Sequence, residues 1–274
     1  MSKAPIRLVA IDVDGTFLDS SHRVPSAVET SLAGLQQRGI RIVLATARSP
    51  QLMESVLAQL RFVPLLICFS GAWIGDPRSQ SANQQPLFER QLSLSAARKV
   101  INVALSYDLE PNVLYPYVWR VRRLTAEVKA ESDITQTLPL VTSELLEFPK
   151  GPNKILVISK PGDGARTLEL VADAIKSSTT ATFSKPNYLE VIAPGVNKAG
   201  SLAILAERLG LEMSRVAAIG DGLNDIEMIK ASGFGIAMGN AAPQLKLAAD
   251  WITLSQDEAG VSEAVRVLSM RALV

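Results

Sequence analysis

"RLVAIDVDGT", residues 7–16, begins with an apolar run and ends with two aspartates separated by one residue. The run lacks the alternation of a half-exposed strand, which predicts a strand buried on both faces, as in a parallel sheet covered by helices. Asp12 and Asp14 stand where this strand ends. Two carboxylates so close together repel each other unless a positive group lies nearby or one of them keeps its proton. The remainder of the chain is therefore expected to supply a positive partner.

The sequence that follows alternates buried strands with amphipathic helices. The predicted elements are a helix over 25–39, a strand over 40–46, a helix over 49–60 and a strand over 64–71. Gly39 suits the C-terminus of the first helix. The same alternation returns from residue 198 onward. This order predicts the α/β class, with a Rossmann-like, doubly wound parallel sheet.

The middle of the chain has a different pattern. A run rich in β-branched and aromatic residues over 112–124 predicts strands of a mostly antiparallel sheet, with a helix near 93–107. We therefore expect an inserted α+β domain over residues 83–190. The parallel-sheet core would then consist of residues 1–82 and 191–274.

Composition excludes several classes of protein. The chain of 274 residues carries 28 Lys and Arg against 27 Asp and Glu, whereas a chain that neutralises nucleic-acid phosphates usually has a basic excess. The single cysteine cannot form an internal disulfide and fits a reducing compartment. No apolar run is long enough to span a bilayer, and the N-terminus lacks a signal peptide. We expect a cytoplasmic protein with no nucleic-acid or membrane partner, and the oligomeric state stays open.

Polar residues follow the predicted strands at the edge where doubly wound sheets bind ligands. They are Asp12, Asp14, Gly15 and Thr16 after the first strand, Thr46 and Arg48 after the second, Ser70 and Gly71 after the third, Asp221, Asn224 and Asp225 in GDGLND, and Asn197 and Lys198 at a helix start. Carboxylates gathered at one edge favour a hard divalent cation, and Mg²⁺ combines one or two carboxylates with phosphate oxygens of the substrate. The lysine, a threonine hydroxyl and backbone N–H groups near Gly15 suit a phosphate. The sequence therefore predicts a Mg²⁺ and phosphoryl site.

Such a site has the groups that phosphoryl transfer needs. One carboxylate can attack phosphorus and form an aspartyl-phosphate, while a second protonates the leaving oxygen and later takes a proton from water. The sequence contains neither the Gly-Lys-Ser/Thr of a Walker A loop nor the Gly-x-Ser-x-Gly of a hydrolase elbow. His22 and Cys68, each the only residue of its kind, are too few for a zinc site.

In this order the motifs resemble those of the haloacid dehalogenase superfamily, and within it the Cof-like phosphatases that carry a type IIB cap. The resemblance runs through the whole chain and is most specific in GDGLNDIEMIKASGFGIAMGNA, residues 220–241. It implies a Mg²⁺-dependent phosphatase in which the inserted domain is a cap that sets substrate specificity.

The resemblance also implies a role for each residue. The implied roles are nucleophile and metal ligand for Asp12, general acid/base and carbonyl ligand for Asp14, second metal carboxylate for Asp221, phosphate binding for Gly15, Thr46, Ala47, Lys198 and Asn224, and positioning for Asp225 and Asn197. The family often has Thr-Gly-Arg and Asn-Gly where this chain has Thr46-Ala47-Arg48 and Ser70-Gly71. Arg48, Ser70 and Gly71 would lie at the rim that contacts the substrate.

Three functions are compatible with this site. The first is a phosphatase acting on a small phosphorylated metabolite, such as a sugar phosphate or a phosphorylated cofactor, through an aspartyl-phosphate. The second is a phosphosugar mutase, in which a sugar accepts the phosphoryl group in place of water. The third is a non-catalytic protein that binds a phosphorylated ligand. The intact set of Asp12, Asp14, Lys198 and Asp221 favours an enzyme, and the phosphatase is the function we expect.

Overall fold

The computed structural model describes residues 5–77, 85–147, 149–160, 162 and 164–270 of the chain. The strands are β1 (Leu8–Asp12), β2 (Arg41–Ala45), β3 (Leu65–Cys68), β4 (Trp73–Gly75), β5 (Phe88–Glu89), β6 (Pro111–Tyr115), β7 (Val118–Val121), β8 (Leu140–Val141), β9 (Lys154–Ile158), β10 (Thr180–Lys185), β11 (Tyr188–Ile192), β12 (Val216–Gly220), β13 (Phe234–Ala237) and β14 (Trp251–Ile252). The α-helices are α1 (Ser26–Gln37), α2 (Glu54–Leu57), α3 (Leu94–Ser106), α4 (Ala126–Thr135), α5 (Gly164–Ile175), α6 (Lys198–Arg208), α7 (Ile226–Ala231), α8 (Pro243–Ala248) and α9 (Gly260–Met270). In the described part of the chain, no helix has both the length and the hydropathy needed to cross a membrane.

The described residues fall into two compact units. The first contains those of Met1–Ala47, Val56–Leu87 and Asn197–Val274, and the second contains those of Arg48–Ser55 and Phe88–Val196. The sequence did not suggest that residues 48–55 would group with the inserted part. The predicted limits of that insertion, residues 83 and 190, remain predictions, and residue 83 lies outside the described residues.

Parallel strands form the sheet of the first unit, in the order β14-β13-β12-β1-β2-β3-β4. The neighbouring pairs are parallel except for β3 and β4, which are antiparallel. All five residues of β1 are buried. A strand without an exposed face belongs in the middle of a sheet that is covered on both sides, which is where β1 lies. The predicted α/β class with a doubly wound parallel sheet is confirmed.

The direction of chain progression reverses beside β1. Successive strands after β1 add on one side of it through β2, whereas the later strands add on its other side through β12. In open α/β sheets, ligands bind at such a reversal, beyond the carboxyl ends of the strands. The end of β1 with the turn after it, residues 12–16, and the loop after β12, residues 221–225, therefore meet at the position where this fold places a site.

Local sequence explains where several elements end. Helix α1 buries Val28, Leu32 and Leu35 along one face, and it ends before Gly39, whose φ of +80° is the left-handed conformation that glycine adopts readily. The helix predicted over 49–60 is shorter than expected. A 3₁₀ turn at Gln51–Met53 leads into α2, which stops because the next N–H groups bond three residues back, as Leu60 does to Leu57.

The second unit is an α+β domain with its own sheet. Its strand order is β10-β11-β9-β6-β7-β8, and the neighbouring pairs are antiparallel except for β7 and β8. Helices α3 and α5 bury apolar residues against the β6, β9 and β11 strands, with Val113, Val157 and Val191 in the cluster. The mostly antiparallel sheet predicted for the middle of the chain is present.

Candidate active site

The site lies in the first unit, where β1 and β12 end side by side. Asp12 is the last residue of β1 and Asp221 follows the last residue of β12, and the register pairs Ile11 with Ile219. Asp12, Asp221 and Asp225 each offer a carboxylate oxygen, and these oxygens lie within 4.8 Å of one another. The structure thus brings together acids that are more than 200 positions apart in the sequence.

Lys198 supplies the positive charge that the buried Asp12 requires. It is the first residue of α6 and is 1% exposed. Its Nζ donates to Asp12 Oδ1 at 2.5 Å and to Asp225 Oδ1 at 2.7 Å. The preceding residue, Asn197, caps the helix because its Oδ1 accepts from Gly200 N–H at 2.7 Å. Asn197 therefore fixes the start of α6, and with it the position of the lysine.

Asp225 has both carboxylate oxygens engaged within the protein. Oδ1 accepts from Lys198, whereas Oδ2 accepts from the N–H groups of Asp221 at 3.1 Å and Gly222 at 3.0 Å. The residue is fully buried. These contacts fit a positioning role, since Asp225 holds both the lysine and the loop that carries Asp221.

Burial and neighbouring charges together shift the pKa values of these groups. Burial raises the pKa of Asp12 well above its usual range, Lys198 opposes this rise, and Asp225 and Asp221 add to it. Burial also raises the pKa of Asp221, against the hydrogen bond from Thr16. Burial lowers the pKa of Lys198, but the attraction of Asp12 and Asp225 outweighs this and raises it, so the ammonium stays charged. Three carboxylates thus share one ammonium.

The turn after β1 holds its shape through Gly15 and Thr16. Leu18 N–H donates to Val13 C=O at 3.0 Å and closes the turn. Thr16 Oγ1 donates to Asp221 Oδ1 at 2.8 Å, which joins this turn to the loop after β12. Gly15 has a φ of +92°, and a Cβ there would overlap the Asp221 carboxylate. A glycine is therefore required at this position for two separate reasons.

We expect Gly15→Ala to lower the free energy of unfolding more than Gly39→Ala does. Both glycines have positive φ, but a Cβ on Gly39 would meet nothing within 4 Å. The backbone strain common to both variants costs about 1–2 kcal/mol. The overlap with Asp221 is expected to add at least ~1 kcal/mol at residue 15. Urea unfolding of the metal-free protein measures both values, and equal losses would contradict the predicted overlap.

A second group of predicted residues follows β2 and β3. Thr46 is 1% exposed and its C=O accepts from Ser70 N–H at 2.9 Å. The strand predicted over 64–71 ends early, at Cys68, because Phe69 and Ser70 have φ of +53° and +55° and Gly71 has +116°. Gly71 C=O accepts from Ser201 Oγ in α6 at 2.6 Å. This turn therefore joins the end of β3 to the helix that begins with the lysine.

The remaining predicted residues lie outside the buried cluster. Asp14 and Asn224 are exposed, and Asp14 lies beside His22, whose Nδ1 is 3.7 Å from Asp14 Oδ1. Ala47 is partly exposed. Arg48 is 9% exposed and belongs to the second unit. Asp14 is therefore open to solvent, and its role in proton transfer stays a prediction.

Three residues join the loops in ways that the sequence did not predict. Thr16 follows the first predicted strand in the sequence, but its bond to Asp221 depends on the three-dimensional fold. Ser201 lies one helical turn after Asn197, a spacing that could have suggested a shared face. Asn240 donates to Gly15 C=O at 2.8 Å, and nothing in its local sequence indicates this partner.

The donor set fits a hard divalent cation. Asp12 and Asp221 offer carboxylate oxygens at one point, whereas Asp225 has both oxygens occupied by N–H groups. Hard cations such as Mg²⁺ take oxygen ligands, and one or two carboxylates are the usual protein share. A cation there would also balance the excess negative charge of the cluster. Asp12 and Asp221 thus lie together as a cation site requires, and the full predicted metal set of Asp12, Asp14 and Asp221 stays a prediction.

Several known proteins are similar to this chain in sequence or in structure over most of their length. The family model for haloacid dehalogenase-like hydrolases matches residues 9–265. The 5-amino-6-(5-phospho-D-ribitylamino)uracil phosphatase YcsE of Bacillus subtilis is 30% identical, with 95% of each chain covered. An HMP-PP phosphatase of Serratia proteamaculans is 30% identical over 88% of this chain and 86% of its own. The solved structure of a haloacid dehalogenase-like hydrolase from Bacteroides thetaiotaomicron is 29% identical, covers 96% of this chain and 99% of its own, and has a TM-score of 0.86.

Proposed function

Because the chain belongs to the haloacid dehalogenase-like hydrolases and is a phosphatase of their Cof-like group, we propose that it hydrolyses a small phosphorylated metabolite through a phosphoryl group carried on Asp12. One observation carries the proposal: Lys198 Nζ holds Asp12 and Asp225 while Asp221 lies in the same cluster. A carboxylate can attack a phosphate when an ammonium beside it offsets the negative charge of both groups. The second acid holds that ammonium in place.

In the first step, a carboxylate oxygen of Asp12 forms a bond to phosphorus, and the bond from phosphorus to the leaving oxygen breaks. Asp14, protonated and exposed, donates its proton to that oxygen, which leaves as an alcohol. In the second step, Asp14 accepts a proton from water as the water oxygen bonds to phosphorus. The bond from phosphorus to Asp12 then breaks, which releases inorganic phosphate, restores the Asp12 carboxylate and leaves Asp14 protonated for the next cycle.

The buried groups stabilise the charge that moves during these steps. Lys198 lies against Asp12, so its ammonium can also contact an oxygen of the transferred phosphoryl group. We assign the buried Thr46 to the binding of a second phosphoryl oxygen. The exposed Asn224 would bind phosphate at the opening of the site. Asp12, Asp221 and the C=O of Asp14 are the groups that would hold Mg²⁺. When bound, the cation neutralises phosphate charge and lowers the cost of placing a dianion beside three acids.

The second unit is the part of the chain that we assign to substrate selection. We propose that it acts as a cap, with limits near residues 83 and 190 as expected from the sequence. The two curated relatives described above are named for a ribitylamino-uracil phosphate and for HMP-PP. We therefore propose a phosphorylated cofactor precursor or a sugar phosphate as the substrate class.

Turnover of a panel of phosphorylated metabolites with Mg²⁺ tests this function. The panel should include sugar phosphates, phosphorylated cofactors and their precursors, and diphosphates, and phosphate release should be reported as kcat/KM. We expect one chemical class to exceed the others by at least about tenfold, which corresponds to about 1.4 kcal/mol of differential transition-state binding. A panel without turnover in any class would contradict the proposed reaction.

The fate of the phosphoryl group separates the phosphatase from the mutase that the sequence also allowed. In ¹⁸O-labelled water, hydrolysis of the Asp12 phosphoryl group places one solvent oxygen in the released phosphate. We expect this label in the product, even when an unphosphorylated sugar is added as a competing acceptor. Recovery of the phosphoryl group on the added sugar would contradict the phosphatase.

A further inference from the structure

A group of residues near the C-terminus contacts both loops of the site. Asn240 Nδ2 donates to Gly15 C=O at 2.8 Å, while Asn240 Oδ1 accepts from Gln256 N–H at 3.0 Å. Two positions further on, Ala242 N–H donates to Asp221 C=O at 3.0 Å. This short segment therefore contacts the turn after β1 and the loop after β12 at the same time.

A second contact fixes the far end of the same turn. Ser20 N–H donates to Asp257 Oδ1 at 2.8 Å, and Asp257 is adjacent to Gln256. The bonds at Gly15 and Ser20 thus enclose the stretch that follows Asp14. The first bond comes from Asn240, which lies between β13 and α8, and the second leads to Asp257 in the loop before α9.

We infer that Asn240 is a positioning residue, which holds the Gly15 carbonyl and so keeps Asp14 and Thr16 in place relative to Asp221. The inference rests on the proposed function, in which Asp14 transfers protons. The peptide group of Gly15 lies between these two residues, so its rotation moves both of them. Asn240 thus acts on Asp14 and Thr16 through the backbone of the turn.

The chemistry of the side chain explains why an amide suits this position. Gly15 C=O requires a donor and Gln256 N–H requires an acceptor, and a single asparagine side chain supplies both. An aspartate has nearly the same shape but only acceptor oxygens when ionised, so it would retain the bond from Gln256 and repel the Gly15 oxygen. An alanine would remove both bonds.

The variants Asn240→Asp and Asn240→Ala test this inference against Gln36→Glu as a matched control. Gln36 Nε2 donates to Val63 C=O at 3.0 Å in the same unit, so the control makes the same amide-to-acid change on a bond to a backbone carbonyl. Each protein is compared on an alkyl phosphate and on p-nitrophenyl phosphate. An aryl leaving group needs little help from a proton donor, whereas an alkoxide depends on it.

Both Asn240 variants are expected to lower kcat on the alkyl phosphate by about tenfold, with KM changed by less than about twofold, because misplaced groups act in the transition state. The loss on p-nitrophenyl phosphate should be about twofold to threefold, since protonation of that leaving group contributes little. Gln36→Glu should match the wild type on both substrates. An equal loss on the two substrates, or no loss, would overturn the positioning role.

A measurement without substrate keeps the inference separate from the proposed function. Hydrogen exchange of residues 13–22 in the metal-free protein should be faster by at least about tenfold in Asn240→Ala, because the Gly15 carbonyl has lost its bond from Asn240. Mg²⁺ binding should raise the melting temperature. If the Asp14 carbonyl is displaced, the Mg²⁺ concentration that gives half of this rise should be several-fold higher in Asn240→Ala than in the wild type. Unchanged exchange would overturn the role of Asn240 even in an active enzyme. A wild-type protein inactive on every phosphate would overturn the proposed function, and the exchange result would still judge Asn240.

Discussion

Replacing Asp12 with asparagine is expected to reduce phosphate release by about 10⁴-fold or more, because the amide cannot take the phosphoryl group from the substrate. The variant retains the shape of the side chain and an acceptor oxygen for Lys198, which also stays bonded to Asp225. The fold should therefore persist, with a melting temperature near that of the wild type. Steady-state release of phosphate from an aryl phosphate with Mg²⁺ measures the loss.

An exposed acid provides the control for this substitution. Asp173 is 73% exposed at its side chain and pairs with Lys176 on the surface of α5, so Asp173→Asn makes the same chemical change away from the site. It should leave turnover unchanged.

Acid quenching of the wild-type reaction should also yield protein that carries one phosphoryl group, and Asp12→Asn should yield none. Turnover by Asp12→Asn within about tenfold of the wild type would exclude Asp12 as the nucleophile.

Removal of divalent cations is the second prediction with a large effect. Three carboxylates share one ammonium in the cluster, and a phosphate substrate adds further negative charge. Without a cation, the repulsion between the substrate and these acids should cost several kcal/mol, so we expect EDTA to lower turnover by about 10³-fold or more. Addition of Mg²⁺ to the desalted protein should restore it.

Asp221→Asn separates a metal effect from a general effect of EDTA. The amide retains an acceptor for Thr16 but removes one negative charge, so the turn after β1 should persist. We expect the Mg²⁺ concentration for half-maximal activity to rise by at least about tenfold, since a carboxylate ligand is lost. Full activity in EDTA would contradict the cation requirement, and an unchanged Mg²⁺ dependence would exclude Asp221 as a ligand.

The sequence predicted the class of fold because local patterns carry that information. The fully apolar β1 could be read as a central parallel strand, and the later alternation of strands and helices predicted the second half of the sheet. The family and the phosphatase class, predicted from the motifs around Asp12, Thr46, Lys198 and Asp221, are confirmed by the comparisons. The strand predicted over 64–71 ended earlier than expected, at Cys68. The sequence did not indicate this end, because Phe69 and Ser70, which have left-handed φ, are not residue types that signal such a turn.

The site was predictable to the extent that its residues follow strands. Rules for doubly wound sheets gather the ends of β1 and β12, so the amino-acid sequence alone could place Asp12 and Asp221 together. It could not place Asn240, because its partner Gly15 is 225 positions away and the bond joins two irregular loops. The grouping of residues 48–55 with the second unit also depends on packing between distant segments, such as the bond from Gln51 N–H to Pro116 C=O.

The place of β1 between β2 and β12 has a consequence for biosynthesis. The partner on one side, β2, is translated soon after β1, but β12 begins only at Val216. A nascent chain that has not yet reached Val216 therefore carries β1 as an edge strand with unpaired N–H and C=O groups, the kind of edge that recruits other chains. Ribosome stalling or premature termination within the second unit should thus yield an aggregation-prone and inactive product. The first strand to be made, β1, gains its second neighbour only after β12 has been translated.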